Sequence, residues 1–338
     1  MRVSIVDVAK RARVSISTVS RVLNRREVVS PKTRRRVEHA IRDLSYRPNR
    51  FARGLMLGRS ELVGLFLPDL HGEFYSEIIR GADEQARRLG YNLVVSSIRQ
   101  VDEGHSIVDS IHEREFLDGV ALMVSETTPA LREMLQATST PLVLLDNDLP
   151  GAPHDSVLID QRRGAELLMR HLLDRRQARR IVFVGGLRTN ADTLARYDSY
   201  QTVLAQTGRT PAPDDVYFLD YEFESARRLA TRHIHEWAGP GACVFAANDE
   251  MAAGVIAAAG AVGVSVPRDL AVVGFDDVRI ARMTHPTLTT MRVPMAQMGA
   301  QAIELLCRRV TEPQRPPTRV SLLPELIVRD SCGARGPG

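Results

Sequence analysis

The sequence predicts an α/β protein in two unequal parts: a three-helix head built on a helix-turn-helix, then a larger body of two α/β lobes. Three observations predict it. Residues 1–60 hold sixteen Lys or Arg against four Asp or Glu, a formal charge of +12, which leaves −8 for the rest of a chain whose total is +4. That head is filled by short apolar stripes at helical spacing, and from Leu62 onward apolar runs of strand length alternate with helical stretches. At 338 residues, 44% apolar and 25% charged, the chain has the length of two or three domains and an ordinary globular composition, which excludes wholesale disorder and collagen-like repetition.

Three helices account for the head. Ile5, Val8, Ala9 and Ala12 fall at i, i+3, i+4 and i+7, and Ser4-x-x-Asp7 makes a capping-box-like start. Ser15 is a good N-cap for a second helix with the stripe Val19, Val22 and Leu23, and Val14 is placed to staple onto Val19. Two short helices joined this tightly form a helix-turn-helix. The other face of the second helix carries Ile16, Ser17, Ser20, Arg21 and Asn24. A major groove about 12 Å wide admits a helix, and a guanidinium can bond O6 and N7 of guanine together, so base reading falls to Arg21. Ser15, Thr18 and Ser20 are short hydroxyls suited to holding phosphates. Ser30-Pro31 opens a third helix with the stripe Val37, Ala40, Ile41 and Leu44; its polar side, Lys32, Arg34, Arg35, Arg36 and Arg42, adds salt-sensitive phosphate contacts. Tyr46-Arg47-Pro48-Asn49 ends that helix, and residues 50–56 have room for at most two turns, weakened by Gly54, which form only when something holds them.

In the body the apolar runs fall at 62–67, 91–98, 120–124, 142–145, 181–184, 243–246 and 270–273. Short buried strands alternating with helices indicate open parallel sheets covered on both faces, and the series is too long for one sheet. The expected division is two subdomains, about 61–160 and 161–290, with a return crossover after 290. Ligands of open α/β sheets sit beyond the carboxyl ends of the strands. Those ends here include Pro68-Asp69, Asp146-Asn147-Asp148, Asn248-Asp249 and Phe275-Asp276-Asp277. Repeated Asp and Asn suit a ligand with many hydroxyls, and Phe74, Tyr75 and Tyr221 offer apolar walls, although Asp249, Asp276 and Asp277 could instead cap helices.

Ser4-Ile5-Val6-Asp7-Val8-Ala9 and Val14-Ser15-Ile16-Ser17-Thr18-Val19-Ser20-Arg21-Val22-Leu23-Asn24 closely resemble the head of the lactose/galactose repressor (LacI/GalR) family of bacterial transcription regulators. The resemblance continues through Ser30-Pro31-Lys32-Thr33-Arg34, Leu44-Ser45-Tyr46-Arg47-Pro48-Asn49, Ala52-Arg53-Gly54-Leu55 and Leu323-Pro324-Glu325-Leu326, so that essentially the whole chain is covered. It implies a helix-turn-helix DNA-binding domain at 1–47, a hinge helix and linker at 48–60, and a periplasmic-binding-protein-like effector and dimerisation domain at 61–330, followed by a flexible tail at 331–338. It also implies that Ile16, Ser17 and Arg21 read bases and that Leu55 wedges into the minor groove. The DNA-contacting set is then Ser4, Ser15, Ile16, Ser17, Thr18, Ser20, Arg21, Asn24, Ser30, Thr33, Arg34, Asn49, Arg50, Ala52, Arg53 and Leu55. The effector-contacting set is Asp69, Phe74, Asp146, Arg196, Tyr221, Asn248 and Asp276, with Arg196 and Asp276 as polar anchors. Two departures stand out. Arg13 occupies a turn position where the family usually has glycine, so it must take positive φ or change the turn. His71-Gly72-Glu73-Phe74 stands where the family commonly has asparagine and proline before the aromatic.

Other classes find less support. The longest uncharged stretch, 251–267, is broken by three glycines and short for a membrane span. Asp7, Lys10, Arg11 and Arg13 interrupt the apolar core an export signal needs, and Cys243, Cys307 and Cys332 form no C-x-x-C, so a cytoplasmic protein without metal or cofactor is expected. No phosphate loop, nucleophile elbow or H-E-x-x-H is present, and His233-x-His235-Glu236 reads as a solvated helix end rather than a ligand set. The expectation is a homodimeric repressor of a pseudo-palindromic operator, controlled by a sugar-like effector. The alternatives are a purine or nucleoside effector, a sugar-binding protein without DNA function, or an α/β enzyme with a basic N-terminus.

Overall fold

The computed structural model describes residues 3–24, 29–46, 59–98, 116–124, 129–149, 151, 153–174 and 176–333. The chain separates into two compact units, Met1–Ser60 and Glu61–Gly338. Asn49, Arg50, Ala52, Arg53 and Leu55, and with them the expected hinge helix, lie outside the described residues.

In the first unit α1 (Ile5–Ala12), α2 (Ile16–Asn24) and α3 (Pro31–Asp43) enclose Val8, Ala9, Ala12, Val19, Val22, Val37 and Ala40, with Ile5, Val14, Leu23, Ile41, Leu44 and Tyr46 packed around them. The capping box forms: Asp7 N–H donates to Ser4 Oγ at 3.4 Å while Ser4 N–H donates back to the Asp7 carboxylate at 2.9 Å. The Ser4 hydroxyl and amide bonds hold the Asp7 carboxyl below its ordinary range. Arg13 resolves the α1–α2 turn by adopting φ +52°. Its own carbonyl accepts a 3.0 Å bond from Arg36 Nη2, which also bonds Ala12 O. Arg36, read from sequence as a phosphate contact, thus closes the C-terminal end of α1.

Among the described residues of the second unit lie two six-stranded sheets. The first runs β11 (Arg319–Leu322), β5 (Asp155–Ile159), β4 (Leu142–Leu145), β3 (Gly119–Met123), β1 (Leu62–Leu67), β2 (Asn92–Ser97), all parallel. The second runs β12 (Glu325–Ile327), β10 (Thr289–Arg292), β9 (Ala271–Asp276), β8 (Ala242–Ala246), β6 (Arg180–Gly185), β7 (Val216–Phe218), parallel except for β12 against β10. The helices are α4 (Gly72–Arg88), α5 (Pro129–Ala137), α6 (Gln161–Asp174), α7 (Ala191–Gln206), α8 (Phe223–Trp237), α9 (Asp249–Ala261), α10 (Ile280–Met283) and α11 (Met295–Thr311). Three segments cross between lobes: β5 to β6, β10 to α11, and β11 to β12. α11 returns to the first lobe and lies on α4 so closely that a Cβ on Gly81 would sit 1.8 Å from Ala296 O.

The strands at 155–159 and 289–292 are absent from the apolar runs because they open with polar residues whose burial only tertiary partners make acceptable, and those at 216–218, 319–322 and 325–327 because they are short and only partly buried. β5 opens with fully buried Asp155, whose carboxylate takes Arg309 Nε and Nη2 at 3.0 Å each, Arg315 Nη2, and Thr318 N–H at 2.7 Å. β10 opens with buried Thr289 and Thr290, the second donating to Asp249. The flexible tail expected at 331–338 does not start at residue 331: Ser331 and Cys332 are fully buried, and Ser331 Oγ donates to Val272 O at 2.6 Å while accepting from Thr289 N–H at 2.8 Å. A serine that closes a backbone gap beside the second sheet cannot behave as a flexible end.

Candidate functional site

The chain presents two candidate sites, one on each unit. On the first, α2 turns Val19 and Val22 inward and leaves Ile16, Ser17 and Arg21 exposed, with Ile16 showing 44% of its surface. Ser20 is half-buried on the same helix, and Asn24 is its last residue. Ser15 Oγ accepts from Thr18 N–H at 3.1 Å and lies 2.7 Å from Ser17 Oγ and 2.8 Å from Thr18 Oγ1, so this hydroxyl both caps α2 and faces outward. Ser30 does the same for α3, accepting from Thr33 N–H at 3.3 Å and donating to Thr33 Oγ1 at 3.0 Å. Arg34 stands partly buried on the first turn of α3. The helix thus offers an apolar tip, a hydroxyl and a guanidinium on one solvent-facing side, the mixture that reads base edges.

On the second unit, the carboxyl ends of both sheets face a cleft of about 470 Å³. Six of the seven effector residues named from sequence carry polar or charged side chains there, and all seven line it. Their local roles differ. Asp69 sits at the rim, where His71 holds its carboxyl below the ordinary range by bonds from Nδ1 at 2.8 Å and N–H at 3.1 Å. Phe74 meets Tyr75 edge-on at 5.3 Å, and burial pushes the Tyr75 hydroxyl up to about 12. Asn248 caps α9 through Oδ1, at 2.9 Å from Met251 N–H, and its Nδ2 donates to Tyr221 O at 3.0 Å. Tyr221, at φ +71°, donates to Asn190 Oδ1 at 2.8 Å and lies flat on Gly186, where a Cβ would come within 2.1 Å of the ring. Glu73 reaches across the cleft and accepts the Arg279 N–H at 2.6 Å.

At the floor lie Asp146, Arg196 and Asp276. Arg196 is buried; Nε and Nη2 donate to Gln161 Oε1 at 3.0 and 2.8 Å, Nη1 bonds Ala247 O, and the guanidinium lies 3.9 Å over the Phe275 ring. Asp276 takes φ +114°, and burial raises its carboxyl to about 7 against the pull of Arg196. Asp146, at φ +53°, accepts Ile159 N–H at 3.2 Å and Gln161 Nε2 at 3.4 Å; burial and the neighbouring Asp192 carboxyl drive it well above the ordinary range. Asp192, Asn190 and Gln161 were not singled out in the sequence. Asn190 caps α7, its Oδ1 accepting Thr193 N–H at 2.9 Å, and Asp192 in the first turn of that helix meets Asp146 at the end of β4.

The neighbouring acids are structural. Buried Asp249 accepts Val278 N–H at 2.9 Å and the Thr290 hydroxyl, and burial keeps its carboxyl well above the ordinary range. For Asp277 burial opposes ionisation, but Arg329 and Arg292, the latter at 2.8 Å, hold it below the ordinary range. Among the described residues no group of three His, Cys, Asp or Glu could hold a metal, and no helix is long and apolar enough to cross a membrane.

Both units match known proteins. Residues 4–49 match the model of bacterial regulatory proteins of the lacI family, and residues 169–332 match a periplasmic binding protein-like domain. The catabolite control protein A of Priestia megaterium is 34% identical over 310 residues, covering 91% of this chain and 92% of that protein. The ribose operon repressor of Escherichia coli strain K12 is 31% identical over 332 residues, 96% of this chain and 98% of the repressor. Among solved structures, a lac repressor dimer bound to operator and the anti-inducer ONPF superposes with a TM-score of 0.86 at 25% identity, covering 98% of this chain and 99% of that one.

Proposed function

Since the chain belongs to the lacI family of bacterial regulatory proteins, whose members are transcriptional regulators and not enzymes, we propose that it is a cytoplasmic repressor that binds a pseudo-palindromic operator as a homodimer under control of a small effector. The single observation that carries this reading is the exposed face of α2, Ile16, Ser17 and Arg21, set on a capped helix-turn-helix at the start of a full-length family match. Arg21 reads a guanine, Ile16 and Ser17 contact neighbouring base edges, and Ser4, Ser15, Thr18, Ser20, Asn24, Ser30, Thr33 and Arg34 hold backbone or flanking positions. Asn49, Arg50, Ala52 and Arg53 continue the contacts, and Leu55 wedges into the minor groove beside its dimer mate.

The effector sits between the lobes on Asp69, Phe74, Asp146, Arg196, Tyr221, Asn248 and Asp276. A sugar-like molecule suits the many acceptors of that cleft. Its binding changes how the lobes sit on one another across the three crossovers and so shifts the operator-competent population. Genome-wide capture of bound DNA, followed by retardation of the captured fragments with and without candidate metabolites, tests the reading. A small set of palindromic sites whose retardation one metabolite alters is the expected result. Failure to retard any chromosomal fragment at low ionic strength would overturn it, and alteration by a purine alone would replace the sugar.

A further inference from the structure

The charge of the cleft is unlike what a neutral sugar requires. Among the described residues eight carboxyl residues line it against one arginine and one histidine, so its potential is negative even with the three floor acids protonated. The one guanidinium does little to offset this, because Gln161 and Ala247 O already occupy three of its five N–H groups. Asp276 is nine-tenths buried at the cleft floor, and among the described residues its Oδ1 accepts no hydrogen bond; Arg196 Nη2 stands 3.9 Å away, beyond bonding distance. Asp146 and Asp192 lie in side-chain contact with each other, which two carboxyls tolerate only with a proton or another cation between them. A buried acceptor left open beside a carboxyl pair is a site for a donor that brings positive charge.

We propose that the effector is an amino sugar whose protonated amine is seated among Asp146, Asp192 and Asp276. This rests on the cleft being the effector site. An ammonium has three donors and no acceptor, and three acids meet it, while the hydroxyls of the same ring find Asn248 and the remaining N–H groups of Arg196. Sugar acids and sugar phosphates are disfavoured by the same potential. Burial raises all three floor acids, so the empty cleft holds protons there that an ammonium displaces.

The test is calorimetric titration of the full-length protein with matched sugars: glucosamine, galactosamine and mannosamine, each against its neutral parent and its N-acetyl derivative. At least one amine is expected to bind tenfold or more tightly than both uncharged partners, with protons released in proportion. Asp192→Asn is expected to reduce that amine-over-neutral ratio tenfold or more, with retardation of captured DNA showing that the variant is folded. Tighter binding of a neutral sugar, or no binding of any amine, overturns the amino-sugar assignment. If a neutral sugar binds and Asp276→Asn abolishes it, the cleft stands as effector site and only the amine is rejected. Amine binding untouched by both Asp192→Asn and Asp276→Asn rejects the cleft together with the amine.

Discussion

The head and the body place their functional groups in opposite environments. On α2, Ile16, Ser17 and Arg21 stand in solvent over a core of seven small buried side chains, so the helix is held by one face and presents the other to solvent. In the body, Arg196 and Asp276 are buried and Asp146 half-buried; Gln161 holds both Arg196 and Asp146, while Asp276 faces Arg196 without bonding it. The difference teaches where each site is vulnerable. On the proposed reading, a change on the head's outer face alters recognition without touching stability, whereas a change on the cleft floor alters both.

The largest test of this contrast is Asp155→Ala. It strips the shared partner from Arg309 and Arg315 and leaves buried charge uncompensated, which should cost about 3–5 kcal/mol of body stability. Chemical denaturation followed by the near-UV signal of Trp237, fully packed in the second lobe, reads it; a loss under 1 kcal/mol would show that β5 is not held by this pair. Arg21→Ala should do the reverse. It should weaken operator binding by about 1–3 kcal/mol and relax preference at one base per half-site, while the denaturation midpoint stays where it was. Unchanged base selectivity would remove Arg21 from the reading role.

Asp276→Asn sharpens the comparison through pH. Its carboxyl titrates near 7 in the fold against an ordinary 3.8, so the folded state holds a proton that the unfolded chain has released, and stability is lost as pH climbs from about 4 through 7. The asparagine variant escapes that loss. Its stability relative to the parent should rise by on the order of 2 kcal/mol between pH 5 and pH 8, and a difference independent of pH would contradict the assignment. Smallest is Arg13→Gly in the head. Removing the Cβ from a residue at φ +52° should stabilise the head by about 0.5 kcal/mol, the relief being partly offset by the greater freedom of glycine when unfolded. A lower melting temperature for the variant would show that the Arg13 side chain holds the turn.

These contrasts also explain what could be read early. The three head helices were legible because each carries its own periodic stripe and its own cap, Ser4, Ser15 and Ser30, within a few residues. The apolar strands β1, β3, β4, β6, β8 and β9 were legible for a similar reason: a strand buried on both faces must be apolar at successive positions. Strand β5 was not, since an aspartate at its first position gains acceptable burial only from arginines more than 150 positions away. Asp192 was missed on the same grounds, and Arg36 was misplaced because a local pattern counts a cation without saying which carbonyl it reaches.

Sequence alone determined the two-part plan, the exposed polar face of α2 and the strand ends that carry Asp69, Asp146, Asp249, Asp276 and Asp277, because these follow from periodicity and from charge counted over short windows. Tertiary structure alone decided which of those acids is free. It bound Asp249 to Val278 and Thr290, surrounded Asp277 with arginines, and left Asp276 Oδ1 open beside Asp192. The physical reason is that the protonation and availability of a buried carboxyl depend on what lies within a few ångströms of it, and residues far apart in the chain supply those neighbours.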